Sequence, residues 1–185
     1  MTLVETGLPG VWVVEPRVFG DERGFFFESF NQRAWEEATG LPGRFVQDNH
    51  SRSRRGVLRG LHYQIRQPQG KLVRVVAGEI FDVAVDLRPG SAAFGRWTGV
   101  RLSAENRRQL WVPQGFGHGF VVLSEAADVL YKATDYYAPE AERAVRWDDP
   151  QLAIRWPLPA PPIVSEKDRR APFLADAELP PAAAG

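Results

Sequence analysis

A two-residue alternation of apolar and polar side chains constrains the fold of this chain more than any other feature. It is clearest from Lys71 to Leu87, where two alternating runs are separated by Ala77-Gly78-Glu79 and read as a β-hairpin. Short strands with the same pattern are predicted over residues 97–102, 109–112, 119–123 and 128–134, and upstream over 11–16, 24–30, 45–51 and 57–64. So many closely spaced short strands are typical of a sandwich or barrel, and the sequence predicts an all-β jelly roll.

Helices are few and peripheral in this interpretation. Residues 32–39 form the one convincing helix before the C-terminal third, with Asn31 as its N-cap and Gly40 as its stop. Ser165 is placed to cap a second, short helix after a proline-rich stretch at 156–162 that is expected to run extended. The length of 185 residues predicts one domain over 1–185, with a core at about 3–175 and a tail at 176–185 that frays.

Composition excludes several classes of protein. Lys plus Arg equals Asp plus Glu at 23 each, so the chain lacks the broad positive field of a nucleic-acid-binding protein. Cysteine is absent, which excludes disulfides and cysteine metal sites. Residues 1–10 carry no basic residue, and the longest apolar runs are far too short to span a bilayer. We therefore expect a cytoplasmic protein with neither a nucleic-acid nor a membrane partner.

Three histidines are the candidates for a general base near neutral pH, namely His50, His62 and His118. Strict alternation would direct His62 and Arg59 to opposite faces of one strand. A β-bulge at Gly60 would shift the phase and bring both side chains into the same cavity. His50 falls on the other face of its strand and is read as structural. For any single histidine, a hydrogen-bonded core position remains the alternative.

Two further polar residues fall on apolar strand faces. Lys71 shares its face with Val73 and Val75, and Tyr131 alternates with Val129. Lys71 can serve a site or extend to water from the strand end. Tyr131 can project its hydroxyl into a cavity or simply fill the core.

The stretch Pro113-Gln114-Gly115-Phe116-Gly117-His118 matches the second sequence motif of the cupin fold. The first cupin motif needs a His-x-His pair and a later Glu, whereas His62 is followed by Tyr63-Gln64, so too few ligands remain for a metal. The sequence favours a metal-free cupin. A noncatalytic sugar-binding cupin, or a metal-dependent oxygenase using His62 and His118, stays as the alternative.

A larger ordered set of motifs resembles the dTDP-4-dehydrorhamnose 3,5-epimerase family over about residues 3–175. The set comprises Asp21-Glu22-Arg23-Gly24 with Glu28, Gln47-Asp48-Asn49-His50-Ser51, Gly56 to Gln64, Lys71-Leu72-Val73-Arg74, Gly78-Glu79-Ile80 with Asp82, Trp111-Val112-Pro113, His118-Gly119-Phe120, Leu130-Tyr131-Lys132, Tyr136-Tyr137-Ala138-Pro139 and Ser165-Glu166-Lys167-Asp168.

The resemblance implies an isomerase that inverts C3 and C5 of a 4-keto-6-deoxyhexose joined through pyrophosphate to thymidine. It makes His62 the base, Asp168 the carboxylate partner of that base, Tyr131 the opposing acid, and Lys71 the cation near the keto oxygen. No cofactor is implied. Epimerases that invert only C3 or only C5 share nearly the same residues and remain an alternative.

The family pattern also implies binding residues and an assembly. Tyr137 would stack on the thymine, and the family is homodimeric, with N-terminal strands that extend the partner's sheet, a task that residues 3–16 would perform. The substrate-binding positions map to Arg23, Glu28, Gln47, Asp48, Asn49, Arg59, Lys71, His118, Glu142 and Lys167.

Overall fold

Two antiparallel β-sheets face one another in the computed structural model, which describes residues 1–181. The strands are β1 (Thr2–Glu5), β2 (Trp12–Glu15), β3 (Phe19–Asp21), β4 (Gly24–Phe26), β5 (Gln47–Arg54), β6 (Leu58–Gln64), β7 (Lys71–Ala77), β8 (Glu79–Asp86), β9 (Trp97–Ser103), β10 (Gln109–Val112), β11 (Phe116–Val122), β12 (Ala126–Ala133) and β13 (Glu142–Ala144). One sheet has the order β1-β2-β10-β7-β12-β5 and the other β13-β6-β11-β8-β9, while β3 and β4 form a separate ribbon. The predicted cupin-type jelly roll is confirmed.

The predicted hairpin over residues 71–87 is wrong, although both of its strands exist. β7 lies in the six-stranded sheet and β8 in the five-stranded sheet, and the chain crosses between them at Gly78. Val73 and Val75 meet Ile80 and Ala84 across the space between the sheets, in one buried cluster. Alternation identifies an apolar face, but it does not tell whether two such faces lie side by side or face to face.

Three apolar layers hold the sandwich together. The first lies between the sheets, and the second lies on the outer face of the five-stranded sheet, beneath the C-terminal segment. The third lies on the outer face of the six-stranded sheet, where helix α1 (Gln32–Thr39) buries Trp35 against Trp111. Burial of this apolar surface is the main stabilising contribution, and it leaves one end of the inter-sheet space to polar side chains.

Both predicted helices and their caps are confirmed. Asn31 accepts a hydrogen bond from the Ala34 N–H at 3.1 Å, and Gly40 ends α1 in the left-handed conformation. In α2 (Glu166–Arg169), the Ser165 hydroxyl accepts from the Asp168 N–H at 3.1 Å. This cap fixes the backbone of the residue that the motifs single out as a carboxylate partner.

The N-terminal segment and the segment that follows residue 176 both contact the rest of the fold. In this single chain, residues 3–16 complete its own sheet, because β2 pairs with β10 and β1 pairs with β2. At the other end, the tail predicted to fray from 176 begins with contacts: Leu179 packs on the outer cluster, and the Tyr63 hydroxyl donates to the Glu178 carbonyl at 2.8 Å. Residues 182–185 lie outside the described residues. Within 1–181, no helix is long and apolar enough to cross a membrane.

Candidate active site

The predicted β-bulge at Gly60 is confirmed. His118 on β11 lies opposite His62, and Phe120 lies opposite Arg59, so β6 carries one extra residue between these pairs. Gly60 has φ +117°, and a Cβ there would lie 2.5 Å from the His118 carbonyl oxygen. Only glycine fits this close approach.

The bulge directs Arg59 and His62 to the same side of β6. Arg59 Nε donates to the Ser53 hydroxyl of β5 at 3.0 Å, which holds the guanidinium on the inter-sheet side. His62 lies beside His118, on the face that looks toward the six-stranded sheet. The imidazole of His62 and the guanidinium of Arg59, a group suited to bind phosphates, therefore share one cleft.

His62 and Asp168 form a dyad although 106 positions separate them, with the carboxylate buried and the imidazole partly exposed. His62 Nε2 lies 2.6 Å from Asp168 Oδ1, and the Gly60 N–H donates to the other oxygen at 3.4 Å. Burial raises the pKa of Asp168, but the hydrogen bonds from His62, Gly60 and Ser165 outweigh it and hold the pKa below its usual value. The ionised carboxylate accepts from Nε2–H, which leaves Nδ1 as the ring nitrogen that can take a proton.

The six-stranded sheet contributes Lys71 and Tyr131 to the same space. Lys71 is only 9% exposed, which excludes the alternative that it extends to water. Burial lowers the pKa of Lys71 to about 8, although Glu142 and Asp82 act to raise it. The ammonium lies 5.9 Å from the centre of the Tyr131 ring. Burial, together with the charge of Glu142, raises the pKa of Tyr131 and so keeps its hydroxyl protonated at neutral pH.

A cluster of polar residues surrounds the mouth of the cleft. Tyr137, half of which is exposed, donates its hydroxyl hydrogen to Glu142 Oε2 at 2.8 Å, and Lys167 pairs with the same oxygen. Burial raises the pKa of Glu142, but the hydrogen bonds from Lys167 and Tyr137 lower it below its usual value. The charge of Glu142 acts on Lys71 as well. The structure thus brings Glu142 and Lys167 to the site, as predicted.

Strand β5 divides its predicted binding residues between its two faces. Gln47 and Asn49 face the cleft, where Gln47 Nε2 donates to Asn49 Oδ1 at 3.0 Å and Gln47 Oε1 accepts from the Tyr137 N–H. Asp48 does not face the cleft. Its side chain is 72% exposed and pairs with Lys132 at 3.0 Å on the outer face of the sheet. The structure therefore does not bring the Asp48 side chain to the cleft of its own chain, because residues alternate across a strand.

Arg23 and Glu28 are not brought to the cleft of their own chain. Arg23 lies at the tip of the β3–β4 ribbon, where it is 86% exposed and bound to Asp21. Glu28 accepts a hydrogen bond from the Asn31 side chain at 3.0 Å, beside α1. The motifs that carry these residues predict a role in binding, but they do not tell which copy of the chain is served.

Asp82 is a site residue that the sequence interpretation missed. It is fully buried on β8, and its Oδ1 lies 2.7 Å from His118 Nε2. The signal was present, because Asp82 falls in phase with the core residues Ile80 and Ala84. Among residues 1–181, no group of three or more His, Asp or Glu side chains is arranged to hold a metal ion. His62 and His118 are instead each bonded to an aspartate.

Comparison with known proteins agrees with this arrangement. A family model described as dTDP-4-dehydrorhamnose 3,5-epimerase matches residues 5–176. Enzymes of that name from Pseudomonas aeruginosa and Salmonella typhimurium are 66% and 57% identical, covering 98% and 97% of this chain and 100% and 98% of their own. A Legionella pneumophila dTDP-6-deoxy-D-glucose-3,5-epimerase, solved in complex with dTDP-4-keto-L-rhamnose, superposes with a TM-score of 0.96 at 55% identity over 99% of both chains. The chain therefore belongs to the dTDP-4-dehydrorhamnose 3,5-epimerase family.

Proposed function

We propose that this epimerase converts dTDP-4-keto-6-deoxy-D-glucose to dTDP-4-keto-L-rhamnose by inverting C3 and C5. The observation that carries the proposal is the placement of the His62–Asp168 dyad on one sheet and of Lys71 and Tyr131 on the other. The relatives named as 3,5-epimerases support inversion at both carbons.

The arrangement suits proton transfer next to a ketone. The 4-keto group acidifies the C3–H and C5–H bonds, and His62 Nδ1 takes a proton from one face of the ring. The buried ammonium of Lys71 stabilises the enolate oxygen that forms, since a fixed charge in a water-poor cleft acts more strongly than one in water. Tyr131 returns a proton to the opposite face, and its raised pKa suits it to be a donor.

Proton NMR of the substrate with the enzyme in D2O tests this proposal. Deuterium is expected at both C3 and C5, together with the signals of the inverted product. Exchange at one carbon only would assign a single-site epimerase. Exchange at neither carbon would overturn the proposal in favour of a noncatalytic cupin.

The His62–Asp168 dyad can be tested by replacing its carboxylate. Asp168→Ala is expected to lower kcat by about a hundredfold or more, because His62 then loses its orientation and the charge that stabilises the imidazolium. Steady-state kinetics measure the loss, and circular dichroism checks that the fold is retained. A variant that turns over at the wild-type rate would remove Asp168 from the mechanism.

The binding residues suit a nucleoside diphosphate. Arg59, held by Ser53, offers paired donors to the pyrophosphate, and Tyr137 has half of its surface free to stack on the thymine. Gln47 and Asn49 present amides to the cleft, and the Asn49 Nδ2 is buried with no hydrogen-bond partner among residues 1–181. A donor left in this state is ready for a ligand acceptor.

We further propose a homodimer in which Arg23 and Glu28 serve the cleft of the partner. The β3–β4 ribbon exposes Phe19, Phe25 and Phe26, which is unusual for a surface that stays in water. A second copy would cover these rings and receive Arg23 at its pyrophosphate site. In a closed two-fold dimer the contribution would be reciprocal.

Mixing two inactive variants tests the exchange. Arg23→Ala and His62→Asn each disable a site, but a hybrid dimer has one site with both residues intact if Arg23 acts on the partner. Reassociated mixtures are then expected to regain about one quarter of the wild-type activity, since half of the dimers are hybrids with one working site. If Arg23 serves its own chain, every site keeps one lesion and no activity returns.

We expect activity to survive exhaustive chelation. The cleft offers two histidines already bonded to Asp168 and Asp82, and proton removal next to a ketone needs no obligatory metal. The measurement is the rate after EDTA treatment and desalting. Loss of activity that one added metal restores would contradict this expectation.

A further inference from the structure

Asp82 is a buried carboxylate, and its two oxygens differ in their hydrogen bonds. Its Oδ1 accepts from His118 Nε2–H at 2.7 Å, whereas Oδ2 is buried with no hydrogen-bond partner among the described residues. A buried carboxylate oxygen without a hydrogen-bond partner destabilises the fold, because the group has lost its water without compensation. Such a cost calls for a nearby positive charge or a functional reason.

The ammonium of Lys71 is a candidate for that charge, since Asp82 is one of the two carboxylates that act on it. Lys71 lies on β7 of the facing sheet, is almost completely buried, and has no ion pair within 4 Å among residues 1–181. Both strands turn these side chains into the inter-sheet space, since Lys71 is in phase with Val73 and Asp82 with Ile80. The titratable or charged groups around this space are His62 and Arg59 from β6, Asp82 from β8, His118 from β11, Tyr131 from β12 and Glu142 from β13.

Two carboxylates act to raise the pKa of Lys71, Glu142 more strongly and Asp82 second, and they differ in their surroundings. Glu142 already pairs with Lys167 and accepts from Tyr137 at the mouth of the cleft, where the substrate would enter. Asp82 is instead fully buried and bonds to His118, with no hydrogen bond to Lys167 or Tyr137.

We propose that Asp82 is a positioning residue with two tasks. Its Oδ2 keeps Lys71 protonated, and its Oδ1 fixes the tautomer of His118. The need for that ammonium at an enolate rests on the proposed function, but the protonation of Lys71 is a property of the free protein. His118, with its Nε2–H donated to Asp82, is left with Nδ1 as the nitrogen that can accept a hydrogen bond.

Lysine NMR tests the charge directly. The chain has three lysines, at 71, 132 and 167, so protein labelled with ¹³C at lysine Cε gives three signals, of which Lys71→Arg assigns one. In the wild type, the Lys71 signal is expected to titrate at about pH 8. In Asp82→Asn, which keeps the shape and an acceptor for His118, the midpoint is expected to fall by about one pH unit.

Three further variants test whether the charge of Asp82, rather than another buried carboxylate or the bond to His118, sets the pKa of Lys71. Asp86→Asn removes another fully buried carboxylate from the same strand, one that pairs with Arg88, and should leave the Lys71 midpoint in place. His118→Gln should not lower the midpoint, because the charge of Asp82 remains. If Asp82→Asn does not fold, Asp82→Ser, a smaller residue that admits water, is used for the same measurement. An unchanged Lys71 midpoint when Asp82 is replaced would overturn the inference.

The pH profile of kcat/KM then connects the charge to catalysis. It should decline above about pH 8 in the wild type as Lys71 loses its proton, and the decline should begin about one pH unit lower in Asp82→Asn. Because the NMR titration needs no turnover, a wild type that fails to epimerise would refute the proposed function alone. An unshifted profile beside an active wild type would refute the role of Asp82 in catalysis.

Discussion

Replacing His62 by asparagine is expected to abolish both turnover and solvent exchange at the two sugar carbons. His62 is the imidazole that Asp168 orients from Nε2, and its Nδ1 is left free to take a proton. Removing a positioned general base typically costs a hundredfold to ten-thousandfold, and here no second base has a matching environment, so the loss is expected at or above the upper limit, about ten-thousandfold. Proton NMR in D2O measures exchange and product together.

The other histidines provide matched controls for this experiment. His50 lies on the outer face of β5 and bonds to Asp128 at 3.0 Å, so His50→Asn should leave exchange at the wild-type rate. His118 faces the cleft, but Asp82 engages its Nε2, so His118→Asn should weaken binding more than it slows exchange. Undiminished exchange at either carbon in His62→Asn would show that another group removes that proton.

Local physical rules explain why much of this fold was predictable. Helix α1 and its caps follow from Asn31, Gly40 and the chemistry of their backbone conformations. The bulge at Gly60 follows from a conflict: Arg59 and His62 cannot share a face in a regular strand, and glycine is the residue that relieves the conflict. The strands follow from the two-residue period.

Long-range pairing was not predictable from the same rules. The crossing at Gly78 has the same local sequence pattern as a hairpin. Whether β7 and β8 pair with each other or lie in different sheets depends on which strands compete for each sheet edge. Asp82 lies in one of the recognised motifs, but its bond to His118, 36 positions away, is not visible in the local pattern. Arg23 belongs to a recognisable motif, yet its distance from the cleft of its own chain depends on the path of the ribbon. In each case the missing information is a contact between distant segments.

Replacing Tyr131 by phenylalanine is expected to separate exchange from inversion. The substitution removes only the hydroxyl, and the ring still packs against the inter-sheet core, so the fold should be nearly unperturbed. His62 remains able to remove a proton from one face and to return a deuteron to that same face. The substrate should therefore still exchange hydrogen with D2O, while inverted product falls by about a hundredfold or more.

The outcome depends on whether the hydroxyl delivers a proton or only fills space. The two sheets place Tyr131 and His62 on opposite sides of the cleft, and the raised pKa of Tyr131 keeps the proton available for donation. A residue that merely packs would leave exchange and inversion coupled, so both rates would fall together or neither would change. Measuring deuterium content and product configuration in one NMR sample distinguishes these cases, because only loss of the donor on the far face leaves exchange without inversion.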